Sequence, residues 1–185
     1  MNKDFYICLF GGASENVSPI HLETVEQLGK EIGTMDCDLV YGAGATGCMG
    51  AIARGVDASN GYILGVTPEF MSKIEPEYNC TRTIKTLTMN ERKTIMETEA
   101  DFYIIAPGGI GTMDEFFEVL TLKCLNQCDK PIIIFNINGF YDNLLKLLEQ
   151  FVEDGFANKR ILSLFEVCTT IDEIKIKINE VRYGK

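Results

Sequence analysis

An α/β fold, with a Rossmann-like, doubly wound and mainly parallel sheet covered by helices on both faces, is predicted by three features of this sequence. Short apolar runs of strand type alternate with helix-period segments along the chain. Several runs are apolar at every position, as parallel strands buried on both faces are. Three glycine-rich turns, at 11–14, 42–50 and 108–112, each follow such a run. Open parallel sheets bind ligands at the carboxyl ends of their strands, so the three turns are expected to converge on one site. No linker, repeat or low-complexity segment interrupts the pattern, and residues 1–185 read as one nucleotide-binding domain.

The elements follow in order. Phe5 to Phe10 is the first strand and ends in Gly11-Gly12-Ala13-Ser14. Ser18 and Pro19 read as N-cap and first helical residue of a helix reaching about Met35. Asp38 to Tyr41 is the second strand; the Gly42–Gly50 turn follows, then a helix through Ala58. Tyr62 to Val66 is the third strand. Thr67 to Thr81 holds two prolines and little periodicity, and reads as a loop. Ile84 to Leu87 reads as a short strand and Met89 to Ala100 as a helix. The buried strand Phe102–Ala106 leads into the central turn, Pro107-Gly108-Gly109-Ile110-Gly111-Thr112-Met113-Asp114-Glu115, and a further helix. Pro131 to Phe135 is a strand, Tyr141 to Val152 a helix, Glu166 to Cys168 an edge strand, and Ile171 to Val181 a closing helix.

Charge and composition narrow the function classes. The formal net charge is −10 and no basic block occurs, which argues against non-specific binding to nucleic acid or an anionic membrane. A phosphate site must therefore gather its few cations locally. The seven cysteines form no Cys-x-x-Cys pair, and they read as buried thiols in a reducing cytoplasm rather than as zinc ligands. His21 is the sole histidine, so a multi-histidine metal site is ruled out, and no metal is expected. No run is long enough to span a membrane and the N-terminus carries no signal-peptide pattern, so the expected location is cytoplasmic.

The central turn runs from a strand into a helix. That arrangement aims unpaired backbone N–H groups and the positive end of a helix dipole at whatever the turn holds. Three glycines in four positions let a backbone approach an anion closely. Glu115 stands just inside the helix. It reads either as a carboxylate working beside a phosphate cradle, or as one half of a capping box with Thr112 as N-cap. Gly42-Ala43-Gly44-Ala45-Thr46-Gly47 formally matches Gly-x-Gly-x-x-Gly. It follows the second strand, and no acidic residue ends the next one, so a dinucleotide cofactor is not expected.

Met89-Asn90-Glu91-Arg92-Lys93 opens a helix whose apolar stripe is Met89 and Met96. Arg92 and Lys93 straddle that stripe near the helix N-terminus, where cations oppose the dipole. They read either as ligands of an anion or as side chains snorkelling to water. The helix after the central turn is apolar on two sides. Met113, Phe116, Phe117, Leu120 and Cys124 form the core face, while Leu122 and Leu125 fall on the other side near Glu115 and Glu118. A second copy of the chain is the expected cover for that second face, giving a homodimer with the active site near its interface. The closing helix is the other candidate cover.

The motifs resemble those of the LOG ("Lonely guy") family, the cytokinin-activating nucleoside 5′-monophosphate phosphoribohydrolases formerly described as lysine decarboxylases. The 107–115 stretch is similar to that family's Pro-Gly-Gly-x-Gly-Thr-x-x-Glu motif, and Met89 to Lys93 to its Met-x-x-Arg-Lys motif. Tyr41 to Gly50 is similar to its Tyr-Gly-Gly-Gly-x-x-Gly-Leu-Met-Gly turn, with Ala43 and Cys48 departing from it. Asp114 replaces the first of the family's two usual glutamates. The resemblance runs from about Phe5 to Leu148. It implies a Rossmann-like dimer that hydrolyses the N-glycosidic bond of AMP or an N6-modified AMP, releasing free base and ribose 5-phosphate without a cofactor. It implies Arg92 and Glu115 as the catalytic pair. It implies substrate contacts at Gly108, Gly109, Ile110, Gly111, Thr112, Met113 and Asp114, with Gly109, Gly111 and Thr112 on the 5′-phosphate, and further contacts at Lys93, Glu75 and Thr121. The alternative is a non-catalytic nucleotide or molybdenum-cofactor carrier on the same fold, which would need the cradle but not the pair. An amino-acid decarboxylase would need a pyridoxal phosphate lysine or comparable electron sink, and the sequence offers no such setting.

Overall fold

The computed structural model describes residues 5–184. Seven parallel strands form one sheet: β1 Tyr6–Phe10, β2 Asp38–Tyr41, β3 Ile63–Pro68, β4 Arg82–Thr86, β5 Phe102–Ile105, β6 Ile132–Phe135 and β7 Glu166–Cys168. Their order is β4-β3-β2-β1-β5-β6-β7. Six α-helices connect them: α1 Pro19–Thr34, α2 Gly47–Ala58, α3 Met89–Glu99, α4 Ile110–Cys124, α5 Asp142–Glu153 and α6 Ile171–Tyr183. The mainly parallel doubly wound sheet expected from the apolar runs is present, and every strand pairing is parallel.

Alternate strand residues face opposite layers, as the period of two requires. Ile7, Leu39, Ile63, Phe102 and Phe135 pack with α1, α2 and α6. Cys8, Val40, Val66, Ile105 and Ile134 pack with α3, α4 and α5. The chain winds one way from β1 through β4, then returns to β5 on the other side of β1. The β1–β5 pair, in register from Ile7↔Phe102 to Phe10↔Ile105, is therefore the switch point of the sheet.

At that point the turns are stitched together. The Gly12 N–H donates to Pro107 O at 3.0 Å, joining the turn after β1 to the turn after β5. Thr46 Oγ1 donates to Ala13 O at 2.7 Å, and Met49 N to Gly12 O at 3.3 Å, joining the turn after β2. Tyr141 Oη donates to Ala106 O at 2.6 Å, joining the turn after β6. Gly47 sits at φ +59°, and a Cβ there would lie 2.4 Å from Gly12 O, so the α2 start fits against the β1 turn only without a side chain.

Several boundaries differ from the sequence reading. The 67–81 segment gives Thr67 and Pro68 to β3 and contains a 3-10 turn, Glu69–Lys73; further ones span Ile137–Gly139 and Lys159–Ser163. Helix α4 begins at Ile110 with Gly109 as N-cap, not at Thr112, and no side chain caps it. The capping-box alternative for Glu115 therefore fails, because Thr112 already lies inside the helix. Helix α6 packs against α1 on the opposite face of the sheet, so it is not the cover for Leu122 and Leu125.

Candidate active site

The cleft at the switch point, about 340 Å³, is bordered by all three glycine-rich turns. The β1 turn contributes Gly11 to Ser14, the α2 start contributes Met49, and the α4 start contributes Gly109, Gly111, Thr112 and Glu115. Arg92 and Met89 enter from α3, and Met71 and Glu75 from the 69–81 segment. That segment is held against the β2 turn by Ala45 N–H to Pro76 O at 2.9 Å and Tyr78 N–H to Ala43 O at 2.8 Å.

Arg92 and Glu115 meet at the floor. Arg92 Nη1 lies 3.1 Å from Glu115 Oε1, with both side chains about nine-tenths buried. Arg92 Nε also donates to Val66 O at 3.2 Å. Thr88 caps α3 by accepting from the Glu91 N–H, which fixes the turn that sends Arg92 inward. Gly42 makes the room: a Cβ there would stand 1.9 Å from Arg92 Nη2. Arg92 thus reaches the cleft rather than snorkelling to water. Burial pushes the Glu115 carboxyl up to about 7, and the neighbouring Arg92 guanidinium opposes that rise. Burial likewise raises the Glu75 carboxyl, again against the field of Arg92. One fixed cation and two carboxyl groups, one of them poised near neutrality, thus share the cleft.

Above the pair, the start of α4 leaves the N–H groups of Ile110, Gly111 and Thr112 without intrahelical acceptors. A Cβ built on Gly109 or Gly111 meets nothing within 4 Å, so packing does not explain either glycine. An anion seated on those N–H groups would need that open space.

The residues expected to bind substrate separate into two groups. Glu75, Gly109, Gly111 and Thr112 share the cleft with Arg92 and Glu115. Lys93, Asp114 and Thr121 line a second depression, with Phe117, Glu118 and Leu122, on the outer side of α4. There Lys93 pairs with Asp114 at 3.0 Å and with Glu118, so it is tied to carboxylates of its own chain. Gly108 lies behind the turn, where a Cβ would meet Thr112 Oγ1 at 2.1 Å. Ile110 is 88% exposed, and Met113 packs against the core on the α4 side of the sheet. The residue-by-residue reading omitted Gly11, Gly12, Ala13, Ser14, Met49, Met71 and Met89. The convergence of the turns pointed to Gly12, Ser14 and Met49. Nothing in the aperiodic 69–81 segment marked Met71.

The outer side of α4 carries the apolar patch expected there, with Leu125 60% exposed. Glu115 does not belong to it, because its side chain turns inward to Arg92.

A doubly wound parallel sheet, a helix start with open N–H groups at its switch point and a buried Arg–Glu pair define a Rossmann-like α/β protein with its cleft at that point. The family model described as "Possible lysine decarboxylase" matches residues 49–178. The chain is 36% identical, over 82% of its length and 70% of the relative's, to cytokinin riboside 5′-monophosphate phosphoribohydrolase LOG7 of Arabidopsis thaliana. It is 30% identical to LOG3 of the same plant, covering 94% of this chain and 81% of that one. The chain belongs to the LOG family. Among solved structures, the molybdenum cofactor binding protein of Rippkaea orientalis superposes with a TM-score of 0.75 at 21% identity, covering 98% and 99% of the two chains. The molybdenum cofactor carrier protein of Chlamydomonas reinhardtii gives 0.75 at 18%, covering 99% and 100%. At those identities the likeness is one of fold.

Proposed function

We propose that this protein is a nucleoside 5′-monophosphate phosphoribohydrolase that cleaves the N-glycosidic bond of AMP or an N6-modified AMP. The observation that carries the reading is the buried Arg92–Glu115 pair facing the open start of α4. The family relatives, named as phosphoribohydrolases, support it. A carrier would need the cradle but would gain nothing from burying an ion pair beneath it, at a desolvation cost of several kcal/mol per ion.

In this reading the 5′-phosphate sits on the N–H groups of Gly111 and Thr112, with the glycine at 109 leaving space for its oxygens. The ribose then lies over Glu115. Breaking the glycosidic bond builds positive charge on the ribose ring. An ionised Glu115 stabilises that charge or orients the attacking water. Arg92 holds Glu115 in place and donates a hydrogen bond to the substrate; guanidinium does not give up its proton, so it is not the general acid. Glu75, whose carboxyl is raised by burial, faces the same space and contacts the base or ribose. Met49, Met71 and Met89 supply polarizable apolar walls for the base.

Lys93, Asp114 and Thr121 belong to the second depression and reach substrate only through a neighbouring subunit. We therefore place the patch around Leu122 and Leu125 at a homodimer interface beside the active site. Seven free thiols suit a reducing compartment, which supports a cytoplasmic enzyme. Among the described residues no helix is long and apolar enough to cross a membrane.

The test is product identification. Incubation with AMP and with N6-isopentenyl-AMP is expected to yield the free base and ribose 5-phosphate in equal amounts. Stoichiometric binding with no product from either nucleotide would replace the hydrolase with a carrier.

A further inference from the structure

The turn after β6 sends one buried hydroxyl into the back of the central turn. Strand β6 ends at Phe135, and in the 3-10 turn that follows Asn138 and Gly139 both take left-handed φ values, 52° and 73°. Asn136 braces this turn. Its backbone N–H donates to Cys168 O at 2.8 Å. Its Oδ1 accepts the Tyr141 N–H at 2.7 Å, and its Nδ2 donates to Asp142 Oδ1 at 2.8 Å. Asn136 is thus a buried polar side chain outside the cleft, and both its side-chain bonds go to Tyr141 and the residue after it. They fix where the Tyr141 side chain leaves the backbone.

The Tyr141 ring is 3% exposed and packs in the core between the sheet and α3, α4 and α5. A phenylalanine would serve that packing as well. The hydroxyl does something else: it donates to Ala106 O at 2.6 Å. Burial raises the phenol, so it keeps its proton and remains a donor, and the Gly108 N–H acts on the same oxygen. The next carbonyl, Pro107 O, accepts from the Gly12 N–H at 3.0 Å. Two consecutive carbonyls at the entry to α4 are therefore tied back to the protein, one by the β6 turn and one by the β1 turn. The glycines at 108 and 109 would otherwise let this stretch adopt other shapes. A carbonyl free to swing towards the cleft would repel an anion there, whereas donors fixed in advance attract it. Pinning both carbonyls leaves the N–H groups at the start of α4 to face the cleft.

We propose that Tyr141 is a positioning residue for the 5′-phosphate: its hydroxyl, anchored on Ala106 O, holds the central turn in the shape that aims the N–H groups of Gly111 and Thr112 at the cleft. This rests on the reading of the α4 start as the seat of that phosphate. Tyr141 does not border the cleft and takes no part in bond breaking, which stays with Arg92 and Glu115.

The test is Tyr141→Phe in the full chain, which keeps the ring and removes the hydroxyl. Binding of ribose 5-phosphate is followed by calorimetry, and kcat and KM are measured with AMP. The variant is expected to bind ribose 5-phosphate about fivefold more weakly, the worth of about one net hydrogen bond, and to raise KM for AMP by a similar factor with kcat held within about twofold. Leu148→Val, buried further along α5, is the control: it lowers stability and is expected to leave the affinity for ribose 5-phosphate unchanged. Unaltered affinity in Tyr141→Phe would overturn the proposal. So would an equal loss in Leu148→Val, which would mark a general loosening of the fold. Parent protein that binds ribose 5-phosphate without cleaving AMP would end the hydrolase reading alone, with the binding comparison still deciding this one. Parent protein that does not bind ribose 5-phosphate would overturn this proposal whether or not AMP is cleaved.

Discussion

Gly42→Ala isolates the position of one guanidinium. The added Cβ would lie 1.9 Å from Arg92 Nη2 and 3.0 Å from its Cζ. Ordinary contact begins at 3.4 Å, so the guanidinium must retreat by about 1.5 Å. Its 3.1 Å contact with Glu115 cannot survive such a shift. Gly42 is not in the left-handed region, so alanine brings no backbone penalty of its own. A misplacement near 1 Å in a catalytic constellation costs on the order of a hundredfold. We expect ribose 5-phosphate release from AMP to fall by about that factor. A damaged buried ion pair should also lower stability, by up to about 3 kcal/mol. The assay is initial rate under saturating AMP, with thermal unfolding measured on the same preparation. A folded Gly42→Ala variant within twofold of the parent rate would refute the reasoning, since Arg92 would then act from a position that alanine forbids.

Three further expectations follow from the same geometry. Gly111→Ala replaces an exposed glycine in the first turn of α4, so it should raise stability by up to about 1 kcal/mol while raising KM for AMP, because its methyl enters the phosphate space; unchanged KM would remove the phosphate from that turn. Gly47→Ala should do the opposite, losing more than about 2 kcal/mol of stability together with activity, as its left-handed φ and the 2.4 Å approach to Gly12 O both forbid a side chain; denaturant unfolding checks it. Glu115, raised to about 7, should give kcat/KM an ascending limb with pH near 7, and Glu115→Gln should flatten it. The same group binds its proton in the folded chain between its ordinary 4.5 and about 7, while the unfolded chain has lost it. Its contribution to stability is therefore full below 4.5 and is lost as pH rises through about 7. A stability profile that rose across this window in the parent, relative to Glu115→Gln, would contradict the assignment.

The fold was legible because its signals are local. Ile132-Ile133-Ile134-Phe135 and Phe102-Tyr103-Ile104-Ile105 are apolar at every position, which only a strand buried on both faces tolerates. The convergence of the glycine turns was legible from topology, since parallel strands must place those turns on one edge. The start of α4 is ambiguous in the sequence because Thr112 and Glu115 imitate a capping box, while the Gly109 backbone begins the helix three residues earlier than that reading allows. Side-chain destinations were the least legible. Arg92 and Lys93 are adjacent and both cationic, but a single step of about 100° around the helix sends Arg92 between Gly42 and Val66 to Glu115 and Lys93 to Asp114 and Glu118. The space that decides this is supplied by Gly42, fifty residues away. Ala43, where the family usually has glycine, proves to sit at φ +62°, which explains the usual glycine and marks a strained residue beside the site. The place of Met71 in the cleft depends on loop packing that no periodicity encodes.

The most direct test of the central claim pairs Glu115→Ala with AMP. The account predicts a folded variant that still binds AMP through the start of α4 but releases ribose 5-phosphate at least a hundredfold more slowly than the parent, about 3 kcal/mol of barrier. Release at the parent rate by folded Glu115→Ala would show that the buried carboxyl takes no part in the chemistry, and the assignment of this cleft as the hydrolytic site would fail with it.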